Sequence, residues 1–165
     1  MNDCNADTFN GPDPWPPRMA VCVGAVVVNG DRVLFVRQAQ GQSLAGQWSI
    51  PWGVVDNAEP PEDAALRETY EEGGIRATLD GLLGYQNLQP GWLGMVFLCH
   101  HEEGDPTADG IETDAAAYLS LAELDALGET VEPWCGWLAR RVLTGSYTLT
   151  SCAMDSPYHP RKAFL

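Results

Sequence analysis

Basic side chains are scarce in this sequence. Its 165 residues hold 9 Lys plus Arg against 23 Asp plus Glu, for a formal net charge of -14 at pH 7. A protein that binds the phosphate backbone of DNA or RNA needs a basic face, so this composition argues against a nucleic-acid partner. An acidic protein can still reach an anionic ligand through divalent cations, because a bound cation inverts the local charge.

Cysteine motifs and long apolar runs are also missing. The five cysteines include no CxxC pair, which argues against a zinc site or a disulfide framework and favours a reducing compartment. The longest apolar stretch, MAVCVGAVVV, is too short to span a bilayer, and the N-terminus lacks the basic start and apolar run of a secretory signal. We therefore predict a cytoplasmic protein with no membrane partner.

The length fits one domain with a full core. Four prolines and little periodicity mark residues 1–18 as an N-terminal tail. Residues 19–145 are predicted to form the folded domain, and residues 146–165 a C-terminal tail. Strands and helices interleave in the domain without a regular βαβ alternation, which favours an α/β (α+β) fold with a mixed sheet flanked by helices.

Local patterns predict the elements of that fold. Valine-rich residues 19–28, an Asn-Gly-Asp turn and the stretch RVLFVR form a hairpin pattern, and WSIPWG suggests a short strand. The other predicted strands are residues 76–87, 93–101 and 114–119. The predicted helices are residues 61–72, which end at two glycines, the stretch LAELDAL, and the amphipathic stretch EPWCGWLARRVL.

The first predicted helix carries a cluster of like charges. Glu68 and Glu72 lie one turn apart on the same face, and Glu71 flanks them. Like charges on neighbouring turns repel, so such a cluster is either a solvated surface or a site for a hard cation, which requires several oxygen ligands. The helix alone favours the solvated surface.

The wider spacing favours the cation site. Five residues separate Gly53 from Glu59, and seven more lead to Arg67-Glu68. This pattern resembles the Nudix box, Gx5Ex7REUxEExGU, in which U is a bulky apolar residue. The matching positions are Gly53, Glu59, Arg67, Glu68, Glu71, Glu72, Gly74 and the final apolar Ile75. The resemblance extends over roughly residues 19–143 and implies a mixed β-sheet sandwiched between α-helices.

The sequence departs from the box pattern at two places. Thr69 replaces the first apolar U residue, which weakens the packing of the helix slightly and touches no catalytic role. Trp52 stands just before Gly53, where the family usually has glycine or alanine. In relatives the backbone carbonyl of that position binds metal, and Trp52 also has a carbonyl. Its large ring would either crowd the metal or form a wall of the substrate pocket.

The resemblance implies a hydrolase that holds Mg²⁺, or Mn²⁺, on a diphosphate. Glu68 and Glu72 would be the principal metal ligands, with Glu71 and the Trp52 carbonyl beside them. The residues that would shape the loop and the helix are Gly53, Glu59, Arg67 and Gly74. Cations withdraw charge from phosphoryl oxygens and lower the pKa of a bound water, which then attacks one phosphorus so that a phosphate monoester leaves.

The sequence offers more than one candidate for the general base. Relatives take it either from the box helix, here Glu71 or Glu72, or from a later loop. In this sequence the later loop is DPTADGIETDAAAYLSL, and Glu112 occupies a position that resembles the loop glutamate of the branch that cleans the nucleotide pool. Asp114 is the second choice.

Substrate selection depends on residues outside the box. All family substrates are, loosely, a nucleoside diphosphate linked to another group. Pro90, fifteen positions beyond Ile75, resembles a marker of many ADP-ribose pyrophosphatases, although GYQNLQPGW is also an ordinary turn. Arg37 is a candidate to hold a phosphate and Trp48 a candidate to stack on a base, each with a packing or surface role as the alternative.

Three functions are therefore compatible with the sequence. The first is a Mg²⁺-dependent hydrolase of nucleoside diphosphate derivatives, with ADP-ribose-like substrates favoured. The second is a nucleoside triphosphate pyrophosphohydrolase that cleans damaged nucleotides. The third is a ligand-sensing domain without catalysis, against which the intact glutamate cluster argues. Dimers are common among relatives, so a homodimer is possible.

Overall fold

A computed structural model describes residues 19–56, 59–155, 157 and 162–165. The proline-rich segment 1–18, predicted as a tail, lies outside the described residues. Within the described ranges, no helix is both long enough and apolar enough to cross a membrane.

The predicted hairpin opens the domain. Strand β1 (Ala20–Asn29) pairs antiparallel with β2 (Arg32–Gln38), and Asn29 lies opposite Arg32 across the turn. Gly30 in that turn has φ 62°, a left-handed conformation that glycine adopts without the steric cost other residues incur. The turn residues therefore set the register of the two strands that run through the centre of the sheet.

The hairpin belongs to an eight-stranded mixed sheet. The other strands are β3 (Trp48–Ser49), β4 (Trp52–Val54), β5 (Arg76–Gln89), β6 (Trp92–Glu103), β7 (Thr113–Leu119) and β8 (Thr150–Ser151). The main order is β3-β2-β1-β6-β5-β8, while β4 pairs with β1 and β7 pairs with β2. Among the strand-to-strand pairings of the described residues, only that of β1 with β6 is parallel. The strand predicted at WSIPWG is thus two short strands, because β3 pairs with β2 whereas β4 pairs with β1.

Helices cover both faces of this sheet. They are α1 (Pro61–Gly73), α2 (Leu121–Leu127) and α3 (Pro133–Leu143), and a 3₁₀ turn spans Gly128–Thr130. Alternate residues of β1 point to opposite faces: Val27 packs in a cluster with Ala65 of α1, and Val26 packs in a second cluster with Ala139 of α3. The predicted sheet sandwiched between helices is confirmed.

Part of the segment predicted as a C-terminal tail packs on the domain. Ser151 in β8 pairs with Gly81 of β5, and the Phe164 ring lies 5.7 Å from that of Phe97, centroid to centroid. Lys162 Nζ lies 3.1 Å from Asp63 Oδ1 at the start of α1. The Phe164 and Lys162 contacts lie on the α1 face of the sheet, whereas β8 extends the sheet beyond β5.

Candidate active site

Helix α1 carries the glutamate cluster, and its ends follow from its sequence. Pro61 occupies the first turn, where its missing N–H costs no hydrogen bond. Pro60 precedes it and gives no side-chain cap. At the other end Gly74 has φ 70°, and its N–H donates to the Tyr70 carbonyl at 2.9 Å. The predicted glycine stop is therefore present one residue after Gly73 ends the helix.

Gly53 allows the β4 strand to approach this helix. A Cβ atom at position 53 would overlap the carboxylate of Glu68. Any larger residue would push Glu68 away from the strand, which explains in physical terms why this position of the motif is glycine.

Arg67 braces the acidic face. Its guanidinium lies 2.7 Å from a Glu59 oxygen, 2.7 Å from Glu68 Oε1 and 2.9 Å from Glu71 Oε2. It also donates to the Val54 carbonyl at 3.2 Å. Hydrogen bonds from Arg67 lower the pKa of Glu59, and those same contacts raise the pKa of Arg67 above its ordinary value. One arginine therefore holds the loop, the helix and two of the clustered carboxylates together.

Glu72 lies deeper than the other glutamates. Its side chain is almost fully buried, at 3% exposure, and Oε2 accepts a hydrogen bond from the Trp52 backbone N–H at 3.0 Å. Burial raises the pKa of Glu72 to about 8, with further contributions from the charges of Glu68, Glu112 and Asp109. Burial also raises the pKa of Glu68. Arg67 offsets part of the charge of Glu68, whereas the Glu72 carboxylate accepts its hydrogen bond from an uncharged backbone N–H.

A cleft of about 350 Å³ opens beside Glu72. Glu72 from α1 and Glu112 from the loop before β7 both line it, together with Trp52 from β4. The rest of the lining consists of Gln38, Gln42, Ser43, Leu44, Ser49, Gln86, Leu88, Glu132, Trp134 and Cys135. The structure thus brings the later-loop glutamate and the box helix to one cavity, although 40 positions separate Glu72 from Glu112.

Asp109 and Thr113 shape the loop that carries Glu112. Asp109 Oδ1 accepts hydrogen bonds from the backbone N–H groups of Ile111, Glu112 and Thr113 at 2.8–3.0 Å. The Thr113 hydroxyl donates to the Glu72 carbonyl at 2.8 Å in a buried contact. These bonds attach the Glu112 loop directly to the last turn of α1, and they lower the pKa of Asp109.

The Trp52 ring walls the cleft. It packs over Gly24 and Gly94 of the sheet, where added Cβ atoms would meet it. Its centroid is 5.5 Å from that of Trp134, and the two ring planes are perpendicular. The indole of Trp52, at a position where the family usually has glycine or alanine, thus lies along the cavity rather than toward Glu68.

Three proposed substrate-binding residues lie outside the cleft lining. Arg37 pairs with Asp114 at 2.6 Å and lies 5.8 Å from the centre of the Trp48 ring. Trp48 itself packs against the core cluster under α3. Pro90 stands in the turn between β5 and β6, in a separate surface recess with Trp92. The ion pair with Asp114 compensates the charge of Arg37, and neither residue lines the cleft that contains Glu72.

The sequence patterns did not predict several of the residues that line the cleft. Trp134 was expected to pack on the core, and it also borders the cavity. Glu132 caps α3 by accepting a hydrogen bond from the Cys135 N–H at 2.7 Å. Its place in the sequence is therefore typical of a residue that begins a helix, not of one that lines a cavity. Gln38 and Gln86 lie on separate strands, and no local pattern shows that strands distant in sequence share one cavity.

The residues present fit a hard divalent cation, although the side chains are not arranged as a cation cage. Across the described ranges, no group of three or more His, Cys, Asp or Glu side chains is placed to hold a metal. Arg67 holds Glu68 and Glu71, and Trp52 N–H holds Glu72. The oxygen donors nevertheless suit Mg²⁺, and a bound cation would offset the burial and the neighbouring carboxylate charges that raise the pKa of Glu72.

Comparisons with known proteins identify relatives of this chain. A family model described as a NUDIX domain matches residues 18–137. A MutT-like protein from Streptomyces ambofaciens is 37% identical over 111 residues, which cover 66% of this chain and 69% of that protein. An RNA pyrophosphohydrolase from Roseobacter denitrificans is 41% identical over 58 residues, but the match covers only 35% of this chain and 36% of that protein.

Solved structures show the same fold. A NUDIX hydrolase from Nitrosomonas europaea superposes with a TM-score of 0.68 at 22% identity, over 80% of this chain and 93% of that one. A MutT NUDIX hydrolase from Burkholderia pseudomallei gives a TM-score of 0.64 at 26% identity, over 76% of this chain and 99% of that one.

The fold and the arginine-braced glutamate helix define the class, which is that of hydrolases acting on pyrophosphate bonds. The matched family model covers most of the chain, and the chain belongs to the Nudix family.

Proposed function

We propose that this protein hydrolyses the diphosphate bond of nucleoside diphosphate derivatives and depends on Mg²⁺ or Mn²⁺. The observation that carries the proposal is the charge of the cleft. Among the described residues, its lining includes Glu72, Glu112 and Glu132 and contains no lysine or arginine. A diphosphate would be repelled by such a cavity unless cations lie between the two sets of negative charges.

The assignment of ligands rests on the α1 cluster. Glu68 and Glu72 would hold the cation, with Glu71 and the Trp52 carbonyl beside them. Bound there, the cation would neutralise the diphosphate and lower the pKa of a water molecule. Arg67 and Glu59 keep the carboxylates and the loop in position, and Gly53 and Gly74 give the backbone the shape that this approach requires.

Glu112 is proposed as the general base, because it shares the cleft with Glu72. Its carboxylate would accept the proton of the water that attacks phosphorus, while the second phosphate monoester leaves. Glu71 and Glu72 are the alternatives on the helix. Glu71 is bound to Arg67 and its side chain is 56% exposed, so it is the weakest of the three.

Two substrate classes are proposed. ADP-ribose-like substrates were favoured from Pro90, which lies in the β5–β6 turn rather than in the cleft lining. The second class is nucleoside triphosphates, and the name of one relative, RNA pyrophosphohydrolase, supports the release of pyrophosphate that this class would give. The free thiols of Cys22, Cys99, Cys135 and Cys152 support action in the cytoplasm.

A substrate panel tests the proposal. The protein is incubated with ADP-ribose, nucleoside triphosphates and a 5′-triphosphorylated oligoribonucleotide, with Mg²⁺, Mn²⁺ or EDTA. Release of AMP and ribose phosphate identifies the first class, and release of pyrophosphate the second. The net charge of -14 predicts poor turnover of the oligonucleotide. Absence of turnover across the whole panel with both metals would favour the ligand-sensing alternative.

A further inference from the structure

The strands next to Trp52 have glycines where its ring packs against the sheet. Trp52 of β4 lies directly opposite Gly24 of β1 in the antiparallel pairing. A Cβ atom on Gly24 would overlap Cε3 and Cζ3 of the indole, and one on Gly94 of β6 would lie 3.0 Å from Cη2. Two glycines on adjacent strands therefore clear the surface on which the ring packs.

Other contacts hold the ring from the sides. The indole lies beside the Cys22 thiol, where burial raises the pKa of the thiol and the indole contact lowers it. Trp134 of α3 meets it at 90°, with the ring centroids 5.5 Å apart. The ring thus has packing partners on the sheet and on the helix, and Trp52 also lines the cleft.

The cleft lining also includes residues without charge. Leu44 and Leu88 are apolar, whereas Gln38, Gln42 and Gln86 offer amide donors and acceptors. An aromatic wall with amides suits a flat heteroaromatic ring that carries hydrogen-bonding groups at its edge. Glu72 and Glu112 line the same cavity, so one ligand could place a ring against the indole and its phosphates, through cations, beside the glutamates.

We infer that Trp52 is a specificity-determining residue of this enzyme, and that its indole, seated on Gly24 and Gly94, stacks on the nucleobase of the substrate. This inference rests on the proposed function for the location of the phosphates. It explains why the chain tolerates a large ring beside Gly53: the ring contributes binding surface, and the backbone carbonyl stays available for the metal. Every base has a π-face, so stacking alone selects nucleotides over base-free diphosphates rather than one base over another.

Equilibrium binding tests the inference without turnover. The probes are α,β-methylene-ADP and methylenediphosphonate, titrated calorimetrically at saturating Mg²⁺. Both carry a non-hydrolysable diphosphate, and only the first carries a nucleoside. Wild-type protein should bind α,β-methylene-ADP more tightly. Trp52→Ala should weaken that binding by about tenfold or more, as stacking on one aromatic side chain is typically worth 1–3 kcal/mol. The variant keeps the backbone N–H and carbonyl of residue 52, so methylenediphosphonate binding should weaken by less than that factor.

Two further variants separate stacking from folding. Trp52→Phe keeps an aromatic ring and should retain most of the affinity. Gly24→Ala leaves the cleft lining untouched but displaces the ring, so it should reproduce the Trp52→Ala loss in a protein whose circular dichroism spectrum is that of the wild type. Should Gly24→Ala misfold, Trp52→Ala and Trp52→Phe alone decide the question.

The outcomes are distinct from those of the substrate panel. Equal wild-type affinity for both probes, or equal weakening of both by Trp52→Ala, would overturn the inference. A protein that binds α,β-methylene-ADP through Trp52 but hydrolyses nothing would keep this inference and refute the proposed function.

Discussion

The Thr113 hydroxyl donates a 2.8 Å hydrogen bond to the backbone carbonyl of Glu72. Thr113 is fully buried, and its N–H also donates to Asp109 Oδ1 at 2.8 Å. The loop that carries Glu112 is therefore fastened to the turn of α1 that carries Glu72. If Glu112 is the base, the distance between base and metal ligands depends on this bond.

Replacing that hydroxyl should reduce the rate through the position of Glu112. Thr113→Val keeps the side-chain volume but leaves the buried Glu72 carbonyl without its partner, which costs about 1–3 kcal/mol of stability. We expect kcat to fall about tenfold or more with little change in KM, and Thr113→Ser to restore it. In a Glu112→Gln background, Thr113→Val should have no further effect on kcat. An equal loss in both backgrounds would show a structural role unrelated to Glu112.

Removing the proposed base should have a larger effect. General base catalysis typically contributes 10²- to 10⁴-fold, so Glu112→Gln should lower kcat by about that factor at saturating Mg²⁺. Asp114→Asn is the matched control, since Asp114 pairs with Arg37 and is absent from the cleft lining. A loss of tenfold or less in Glu112→Gln would rule out Glu112 as the essential base, and Glu71 or Glu72 of the helix would then be the candidates.

The helix and the hairpin were predictable because their signals are local. Pro61, Gly74 and the Asn-Gly turn specify their own backbone conformations, so residue types alone located these elements. Glu68 and Glu72 were found by motif spacing, which also depends only on the order of the chain. The resemblance supplied Glu112, and the structure places it in the Glu72 cleft.

The substrate-binding residues were harder to place because their neighbours come from distant segments. Arg37 lies in β2, one residue before the strand ends, and its ion pair with Asp114 is formed across the β2–β7 pairing. Trp134 appeared as a packing residue, because helical periodicity does not reveal a cavity at one edge of the buried face. The Trp52 ring packs against Gly24 and Gly94, which belong to two other strands. No pattern within one segment of the sequence predicts this packing.

Glu72 should make the stability of the metal-free protein depend on pH. Its pKa is about 8 when folded and about 4.3 in an unfolded chain. Between these values the folded state binds more protons, so the contribution of Glu72 to the free energy of unfolding falls as pH rises. In EDTA, the Tm of the wild type relative to Glu72→Gln should decrease from pH 5 to pH 8.

Mg²⁺ should oppose that decrease. A cation on the ionised carboxylate stabilises the folded state by mass action, so the Mg²⁺-induced rise in Tm should be larger at pH 8 than at pH 5, and small in Glu72→Gln. Differential scanning fluorimetry across this range provides the check. A difference between wild type and variant that stays constant with pH, with and without Mg²⁺, would contradict the assignment.

Arg67 should control cation affinity without binding the cation. Lysine has a single point charge and cannot reach Glu59, Glu68 and Glu71 together. Groups that orient metal ligands typically alter affinity by about 10- to 100-fold, so Arg67→Lys should raise the Mg²⁺ concentration needed for half-maximal activity by that factor. Arg140→Lys, which loses only an exposed pair with Asp125, should behave as the wild type, and similar Mg²⁺ curves for both variants would refute the role of Arg67.

The most direct test of the central claim compares two buried glutamates of the same helix. Glu72 and Glu62 are 3% and 7% exposed, but Glu62 faces Lys162 at 3.7 Å and lies outside the cleft lining. Diphosphate hydrolysis is measured for Glu72→Gln and Glu62→Gln against a Mg²⁺ titration, with folding verified by circular dichroism. The account predicts that Glu72→Gln loses most of its activity at every Mg²⁺ concentration while Glu62→Gln retains the wild-type rate. A folded Glu72→Gln protein with a near-native rate would contradict it.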